Sequence, residues 1–174
     1  KKLCKKYRIS LIEDCAQSFG AKKNSKYTGT FGDFGCFSFF PTKNLGCAGD
    51  GGMITTNSNV KMKKLKKLRN HGGLIRNVHE YIGYNSRLDE IQASMLRVKL
   101  RYLDCEIGQR RKIALYYKDN IINDAIILPQ VKNEKTHVWH LFVIRTNKRK
   151  ELQKYLLDSG IQTLIHYPFP PHKQ

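Results

Sequence analysis

The sequence has no long apolar segment. No part of it approaches the roughly 20 consecutive apolar residues that a membrane-spanning helix needs. The lysine-rich start, residues 1–6, has neither the apolar stretch nor the cleavage site of a signal peptide. We therefore expect a cytoplasmic protein. The chain begins without Met and stops soon after a proline-rich stretch at 168–171, which indicates a piece of a longer protein.

Paired cysteines are also lacking. The five cysteines are scattered, and no two of them form a CxxC pair. This pattern excludes a disulfide framework and a zinc ribbon, so we expect reduced, mostly buried thiols. His137 and His140 have a metal-like spacing, but they lie on a predicted strand without a carboxylate partner, and we expect no metal site.

Acidic residues are scarce. There are 14 Asp and Glu against 32 Lys and Arg, which gives a formal charge of +18. Such a charge invites a nucleic-acid hypothesis. The densest basic run, residues 61–69, alternates with apolar residues as in an amphipathic helix whose solvated side carries the lysines. We expect no nucleic-acid partner, although a basic surface favours a substrate that bears a diphosphate.

The sequence does contain the pattern of an α/β sheet. Short apolar runs at 9–12, 36–40 and 53–56 are separated by glycine-rich turns and followed by helical patterns. Nearly continuous apolar strands of this kind are typical of a sheet that is covered on both faces. The apolar content of 40% over 174 residues is enough for a hydrophobic core.

Helical periodicity follows the strands. It predicts a helix at 60–69, which ends before Gly72, and a long helical region over 86–117 that Gly108 kinks or divides. The long region carries one apolar stripe that we expect to be buried. The members of this stripe are Leu88, Ile91, Met95, Val98, Tyr102 and Cys105.

A change of composition around 124–136 predicts a domain boundary. Residues 1–124 would form part of a larger α/β domain, and residues 125–174 would begin a smaller α+β domain. In the smaller domain the pattern predicts a strand at 137–145, a helix at 148–159 and a second strand at 161–167.

Two polar residues follow the predicted strands. Asp14 stands at the carboxyl end of the first strand, where α/β sheets place ligands, although such a residue can equally cap a helix or brace a loop. Lys43 follows the second strand and a proline that fixes the turn. A lysine that leaves a buried strand toward the interior is desolvated, which lowers its pKa and makes the amine nucleophilic. Such an amine can form a Schiff base.

The glycines after Lys43 match neither the Walker pattern nor a GxGxxG motif that precedes a helix, because another strand follows them. Close backbone approach explains them better.

Several motifs follow one another along the chain. They are EDCAQSFGA at 13–21, GD at 32–33, FSFFPTKNL at 37–45, GDGG at 49–52, HG at 71–72, GYNSRLDEIQA at 83–93, GIQT at 160–163 and HYP at 166–168. Together, and in this order, they resemble the DegT/StrS family of sugar-nucleotide aminotransferases.

The resemblance implies fold type I of the enzymes that depend on pyridoxal 5′-phosphate (PLP). It assigns the chain to the second half of the large domain plus the start of the small domain. Lys43 would carry the cofactor as a Schiff base, and Asp14 would pair with its pyridinium nitrogen. Gln17 would contact the phenolic oxygen and Ser38 the phosphate. Asn85 would contact the phosphate of the cofactor in the neighbouring subunit, since family active sites lie at a homodimer interface.

The resemblance also implies a reaction. An amino group would pass from L-glutamate through PLP to a nucleotide-linked keto-sugar, with Lys43 as general base and acid. Arg87 would contact an anion, and His166 and Tyr167 would lie near the hexose. The segment after His166 favours C3 of a dTDP-3-keto-6-deoxyhexose. Amination at C4 of a UDP-, GDP- or dTDP-linked sugar is the alternative.

Further phosphate-binding backbone and the aromatic residue that stacks on the ring would precede this chain, so activity is expected of the parent protein only. A dehydratase that lacks the lysine is disfavoured by Lys43. A regulatory homologue, or a remnant that binds no PLP, is a further alternative.

Overall fold

The computed structural model describes residues 1–174 as a mixed α/β structure, as the sequence predicts. Short 3₁₀ helices are also present at Glu134–Thr136 and Pro171–Lys173. No helix is both long enough and apolar enough to span a bilayer. In chain order the main elements are α1 (Lys2–Tyr7), β1 (Ile12–Asp14), β2 (Lys22–Lys23), β3 (Lys26–Tyr27), β4 (Phe34–Ser38), β5 (Gly52–Thr55), α2 (Asn59–Leu68), α3 (Glu90–Leu100), α4 (Leu103–Asn120) and α5 (Arg149–Asp158).

The three predicted strands form one sheet in the order β1-β4-β5. β1 runs parallel to β4, with Asp14 opposite Cys36, and β5 runs antiparallel to β4, with Gly52 opposite Ser38. β2 and β3 form a separate antiparallel hairpin. Because parallel strands end at the same edge, the pairing brings the carboxyl ends of β1 and β4 together.

The sheet is not covered on both faces, contrary to the sequence prediction. Paired residues point to the same side, and residues two apart on a strand share a face, so Ile12 and Ile54 lie on one face together with Asp14 and Ser38. Ile12 is 61% exposed and Ile54 is 50% exposed. Lys61 of α2 lies over the Phe34 ring on this face, with Nζ 5.0 Å from the ring centroid, so the face is covered only in part.

The core lies between the end of β4, the loop that follows it, and helices α3 and α4. A buried cluster joins Phe39 to apolar residues from all of these elements and from residue 138. Residue 138 follows the predicted domain boundary, which itself stays a prediction. The other members are Leu45, Cys47, Leu96, Leu103, Ile107 and Val138.

The helix predicted at 60–69 is confirmed as α2, whose first turn is capped by the Ser58 hydroxyl accepting from the Lys61 backbone N–H at 3.4 Å. The long helical region is also confirmed, but its break lies at Arg101 and Tyr102, between α3 and α4. Gly108 lies within α4, so its expected kink is wrong. A single glycine is tolerated in a helix that packing holds in place.

The predicted buried stripe of this region is mostly exposed. Ile91 is 70% exposed and Val98 is 53% exposed, whereas Leu96, one position away from the stripe, is only 7% exposed. Periodicity locates apolar positions on a helix, but α3 has apolar residues on two faces. Only one of these faces packs against the loop after β4.

The two strands predicted beyond residue 136 are wrong. Residues 137–145 form a single isolated bridge, between Arg145 and Ile127, and residues 161–167 form no strand. A strand needs a partner for its backbone hydrogen bonds, and the chain pairs no further strand with these segments. The helix predicted between them is confirmed as α5, followed by Gly160 with a φ of 78°.

Candidate functional site

Asp14 lies at the carboxyl end of β1, on the partly covered face of the sheet. Its side chain is exposed, and Oδ1 accepts a 3.0 Å hydrogen bond from the backbone N–H of Ala16. The next residue, Cys15, donates its backbone N–H to Cys36 at 2.8 Å and so extends the pairing with β4. One oxygen of Asp14 thus braces the local turn, and Oδ2 has no hydrogen-bond partner within the chain.

Ser38 ends β4 on the same face of the sheet as Asp14. Its hydroxyl accepts a 3.3 Å hydrogen bond from the backbone N–H of Phe40, which leaves the hydroxyl proton available to a ligand. Gln17 lies in the turn after β1, and its side chain is exposed. The structure therefore brings the ends of the two strands together, with polar groups directed away from the core.

Lys43 lies in a tight turn after β4. Its backbone N–H donates to the carbonyl of Phe40 at 2.9 Å. The following chain packs so closely that a side chain at Gly46 would place its Cβ 2.5 Å from the carbonyl oxygen of Pro41. This confirms close backbone approach as the role of that glycine. The Lys43 side chain is half-buried, so this chain alone desolvates the amine less than the sequence pattern suggests.

Asn44 and His140 lie around Lys43, and sequence reasoning assigned neither to the site. Asn44 is 5% exposed, and its Nδ2 donates to the carbonyl of Val138 at 2.8 Å. Burial lowers the pKa of His140, and the nearby positive charges of Lys43, Arg110 and His166 lower it further. The hydrogen bond from Asn44 therefore places the segment around residue 138 beside the lysine turn, with His140 two residues further along. No sequence spacing signals this approach.

Asn85 and Arg87 lie at a different place, beside the end of α2. Residue 85 forms an isolated bridge with Asn70, and the Arg87 guanidinium donates to Oδ1 of Asn70 at 2.6 Å. Both side chains are exposed, and neither contacts Lys43 by a hydrogen bond. The structure does not bring them together with the other predicted site residues within this chain.

His166 and Tyr167 lie near the carboxyl end of the chain and are exposed. Their rings contact each other edge to face, with centroids 5.8 Å apart. The charge of His166 contributes to the lowered pKa of His140, after burial and the charges of Lys43 and Arg110.

Glu13 is a residue whose role the sequence did not reveal. Its carboxylate accepts backbone hydrogen bonds from Phe31 and Gly32, both at 2.7 Å, and from Gly29 at 2.9 Å. It points to the face of the sheet opposite Asp14. Glu13 thus fixes the loop that feeds β4, and through it the position of the strand that ends in Ser38.

The cysteines are all free thiols, as predicted, but only Cys15 and Cys47 are buried. Burial raises the pKa of Cys15, which disfavours the reactive thiolate. The Cys47 thiol lies 3.0 Å from the carbonyls of Phe39 and Gly49. Cys105 is exposed, so the expectation of mostly buried thiols is wrong. The buried cysteines act as small core residues here.

Asp14, Ser38 and Lys43 thus follow the carboxyl ends of two neighbouring strands of an α/β sheet. The sequence model of the DegT/DnrJ/EryC1/StrS aminotransferase family matches residues 1–174, and the chain belongs to this family. The predicted family is thereby confirmed.

Three known proteins illustrate the relationship. The dTDP-3-amino-3,6-dideoxy-alpha-D-galactopyranose transaminase of Aneurinibacillus thermoaerophilus is 52% identical over 172 residues, which are 99% of this chain and 47% of that protein. A DegT DnrJ EryC1 StrS aminotransferase from Brucella abortus has a TM-score of 0.94 at 36% identity, covering 99% of this chain and 46% of that one. The protein ntda from Bacillus subtilis, solved with bound cofactor PMP, has a TM-score of 0.87 at 30% identity, covering 99% and 41%.

These comparisons confirm the predicted fold class. The chain shares the fold of solved aminotransferases of the family over nearly its whole length. It spans about half the length of the curated relatives it matches, 47% in the case described above.

Proposed function

We propose that the protein containing this chain is a PLP-dependent aminotransferase that moves an amino group from L-glutamate to a nucleotide-linked keto-sugar. The observation that carries the proposal is the placement of Lys43 in a tight turn after β4, next to a sheet face that presents Asp14 and Ser38. Membership of the aminotransferase family supports it.

The residues present fit the cofactor. Asp14 offers a carboxylate oxygen with no partner, suited to a protonated ring nitrogen, and Ser38 offers a hydroxyl proton, suited to a phosphate. Gln17, exposed beside them, offers an amide to the phenolic oxygen. Lys43 holds the cofactor covalently and, once released, moves the proton that the transfer requires. PLP itself, when bound, supplies an electron sink.

Two of the predicted residues lie apart from this group, and this supports a shared active site. Asn85 and Arg87 are exposed beside the end of α2 and make no hydrogen bond to Lys43. We propose that they face a second subunit, where Asn85 contacts the partner's cofactor phosphate and Arg87 an anionic group. We also retain the proposed division into a large domain, 1–124, and the start of a small domain, 125–174.

For the sugar we propose C3 of a dTDP-3-keto-6-deoxyhexose. The support is the 52% identity to a transaminase named for a dTDP-3-amino-3,6-dideoxy sugar. His166 and Tyr167 are exposed, and an imidazole and a phenol can hydrogen-bond to hexose hydroxyls. The net charge of +18 favours the nucleotide diphosphate.

The role of Lys43 is tested in the full-length protein by adding PLP, reducing with borohydride and locating the adduct by mass spectrometry. We expect a covalent adduct at residue 43 that is absent from Lys43→Ala. Lys63→Ala, which removes an exposed lysine of α2, is the matched control and should leave the adduct intact. An adduct at other lysines alone would contradict the proposal.

The substrate is tested by glutamate-dependent amination across dTDP-, UDP- and GDP-linked sugars that carry a keto group at C3 or at C4. We expect the highest kcat/KM with a dTDP-linked 3-keto-6-deoxyhexose. A preference for 4-keto sugars would overturn the assignment of C3 while leaving the aminotransferase intact. No turnover with any keto-sugar, despite an adduct at residue 43, would favour a regulatory homologue.

A further inference from the structure

Two buried side-chain polar atoms in the chain lack a hydrogen-bond partner, Oδ1 of Asn44 and Nδ1 of His140. Both residues lie around Lys43. Asn44 is the next residue in sequence, and His140 lies two residues beyond Val138, whose carbonyl accepts the hydrogen bond from Asn44. Buried polar atoms without partners are rare because each loses its hydration without replacement. Because both atoms lie near Lys43, these polar groups indicate a functional role in addition to a structural one.

Asn44 connects two parts of the chain that are far apart in sequence. Its side chain is buried among apolar core residues, and its Nδ2 donates to the Val138 carbonyl across 94 positions. At the other end, Arg111 of α4 donates to the His137 carbonyl at 2.9 Å, which fixes the segment against that helix. The turn that presents Lys43 is thus tied through Asn44 to a segment that α4 holds in place.

We propose that Asn44 is a positioning residue for Lys43, because its side chain fixes the lysine turn to the segment at 137–140. The proposal rests on the proposed role of Lys43 as the residue that carries the cofactor. A half-buried lysine side chain has several rotatable bonds and is otherwise free to turn toward solvent. A fixed backbone at the next residue limits where the amine can reach.

The chemistry of the side chain makes the proposal specific. Only a donor can satisfy the Val138 carbonyl, and the amide of Asn44 supplies one without introducing charge. Asn44→Asp keeps the shape but replaces the donor with an acceptor. Asn44→Ala removes the donor without burying a charge, and it serves where the aspartate variant does not fold.

The test uses the full-length protein with two measurements. The first is the rate at which borohydride traps PLP at residue 43, at concentrations that give equal PLP occupancy in each variant. The second is hydrogen exchange of the apo protein over residues 40–47 and 137–140. We expect trapping at least tenfold slower in both variants, together with faster exchange in both segments. Asn57→Ala, which removes an exposed amide that donates to the Thr30 carbonyl away from both segments, is the matched control and should leave trapping unchanged.

Trapping within threefold of the wild type in both variants, with the wild type trapped at residue 43, would overturn the positioning role alone. Faster exchange without slower trapping would reduce Asn44 to a structural residue and would also overturn it. Failure of the wild type to form any adduct at residue 43 would overturn the proposed function and this inference together.

Discussion

Oε1 of Glu13 lies 2.7 Å from the backbone nitrogen of Gly32, 19 positions further along the chain. The same carboxylate also accepts from Phe31 and Gly29. Glu13 pairs in register with Gly35 of β4, so the loop it binds is the one that leads into the strand carrying Ser38. The carboxylate of Glu13, on the face of the sheet opposite Asp14, therefore holds the loop that leads to Ser38 of the candidate site.

Glu13→Gln is expected to destabilise the protein by about 1–3 kcal/mol, because one carbonyl oxygen cannot replace two charged oxygens that bind three N–H groups. Urea unfolding measures the change. Glu80→Gln removes a carboxylate whose side chain is 50% exposed and pairs with Lys67. Glu80→Gln is the matched control, and it should lower the free energy of unfolding by only about 0–1 kcal/mol. Equal losses in the two variants would show that Glu13 acts only as a surface charge.

Gly35→Ala should destabilise the protein by about 1–3 kcal/mol, since the new methyl group meets backbone that cannot move aside. An added Cβ would lie 2.6 Å from the carbonyl oxygen of Gly29. Gly108→Ala is the contrasting substitution, because nothing lies within 4 Å of its added Cβ and the position is helical. It should stabilise α4 by about 0.5–1 kcal/mol. Thermal unfolding of both variants measures the difference, and the same sign for both would contradict the packing at Gly35.

Stability should fall as the pH drops below about 6.5, the ordinary pKa of histidine. Burial, the largest cause in each case, lowers the pKa of His137 and His140 in the folded protein. The unfolded chain therefore takes up protons in a pH range where the folded chain does not, so acid favours unfolding. This contribution is fully present above pH 6.5 and is lost as the pH falls toward the lowered pKa values.

Melting temperatures between pH 7.5 and 5 test this dependence. The double variant His137→Asn/His140→Asn should show a smaller decrease over this range than the wild type. The melting temperature of His172→Asn, which removes an exposed histidine, should decrease over this range as much as that of the wild type. An unchanged slope in the double variant would show that the two imidazoles protonate equally well in the folded and unfolded states.

Local sequence patterns located most of the regular elements of the fold. The strands of the main sheet, α2, the long helical region and α5 were predicted to within a few residues. The strands predicted at 137–145 and 161–167 failed, because a strand exists only where another strand accepts its hydrogen bonds. The stripe through Ile91 and Val98 failed for a related reason, since periodicity gives an apolar face but not the element that covers it.

The sequence by itself determined the family, through the order of its motifs, and singled out Lys43 as a lysine after an apolar strand. Only the tertiary structure decided what surrounds that lysine. Pairing of β1 with β4 put Asp14 and Ser38 on one face. The hydrogen bond between Asn44 and Val138, 94 positions apart, brought the segment that contains His140 to the lysine turn. Such contacts depend on how separate segments pack around a common core, and no local spacing in the chain encodes them.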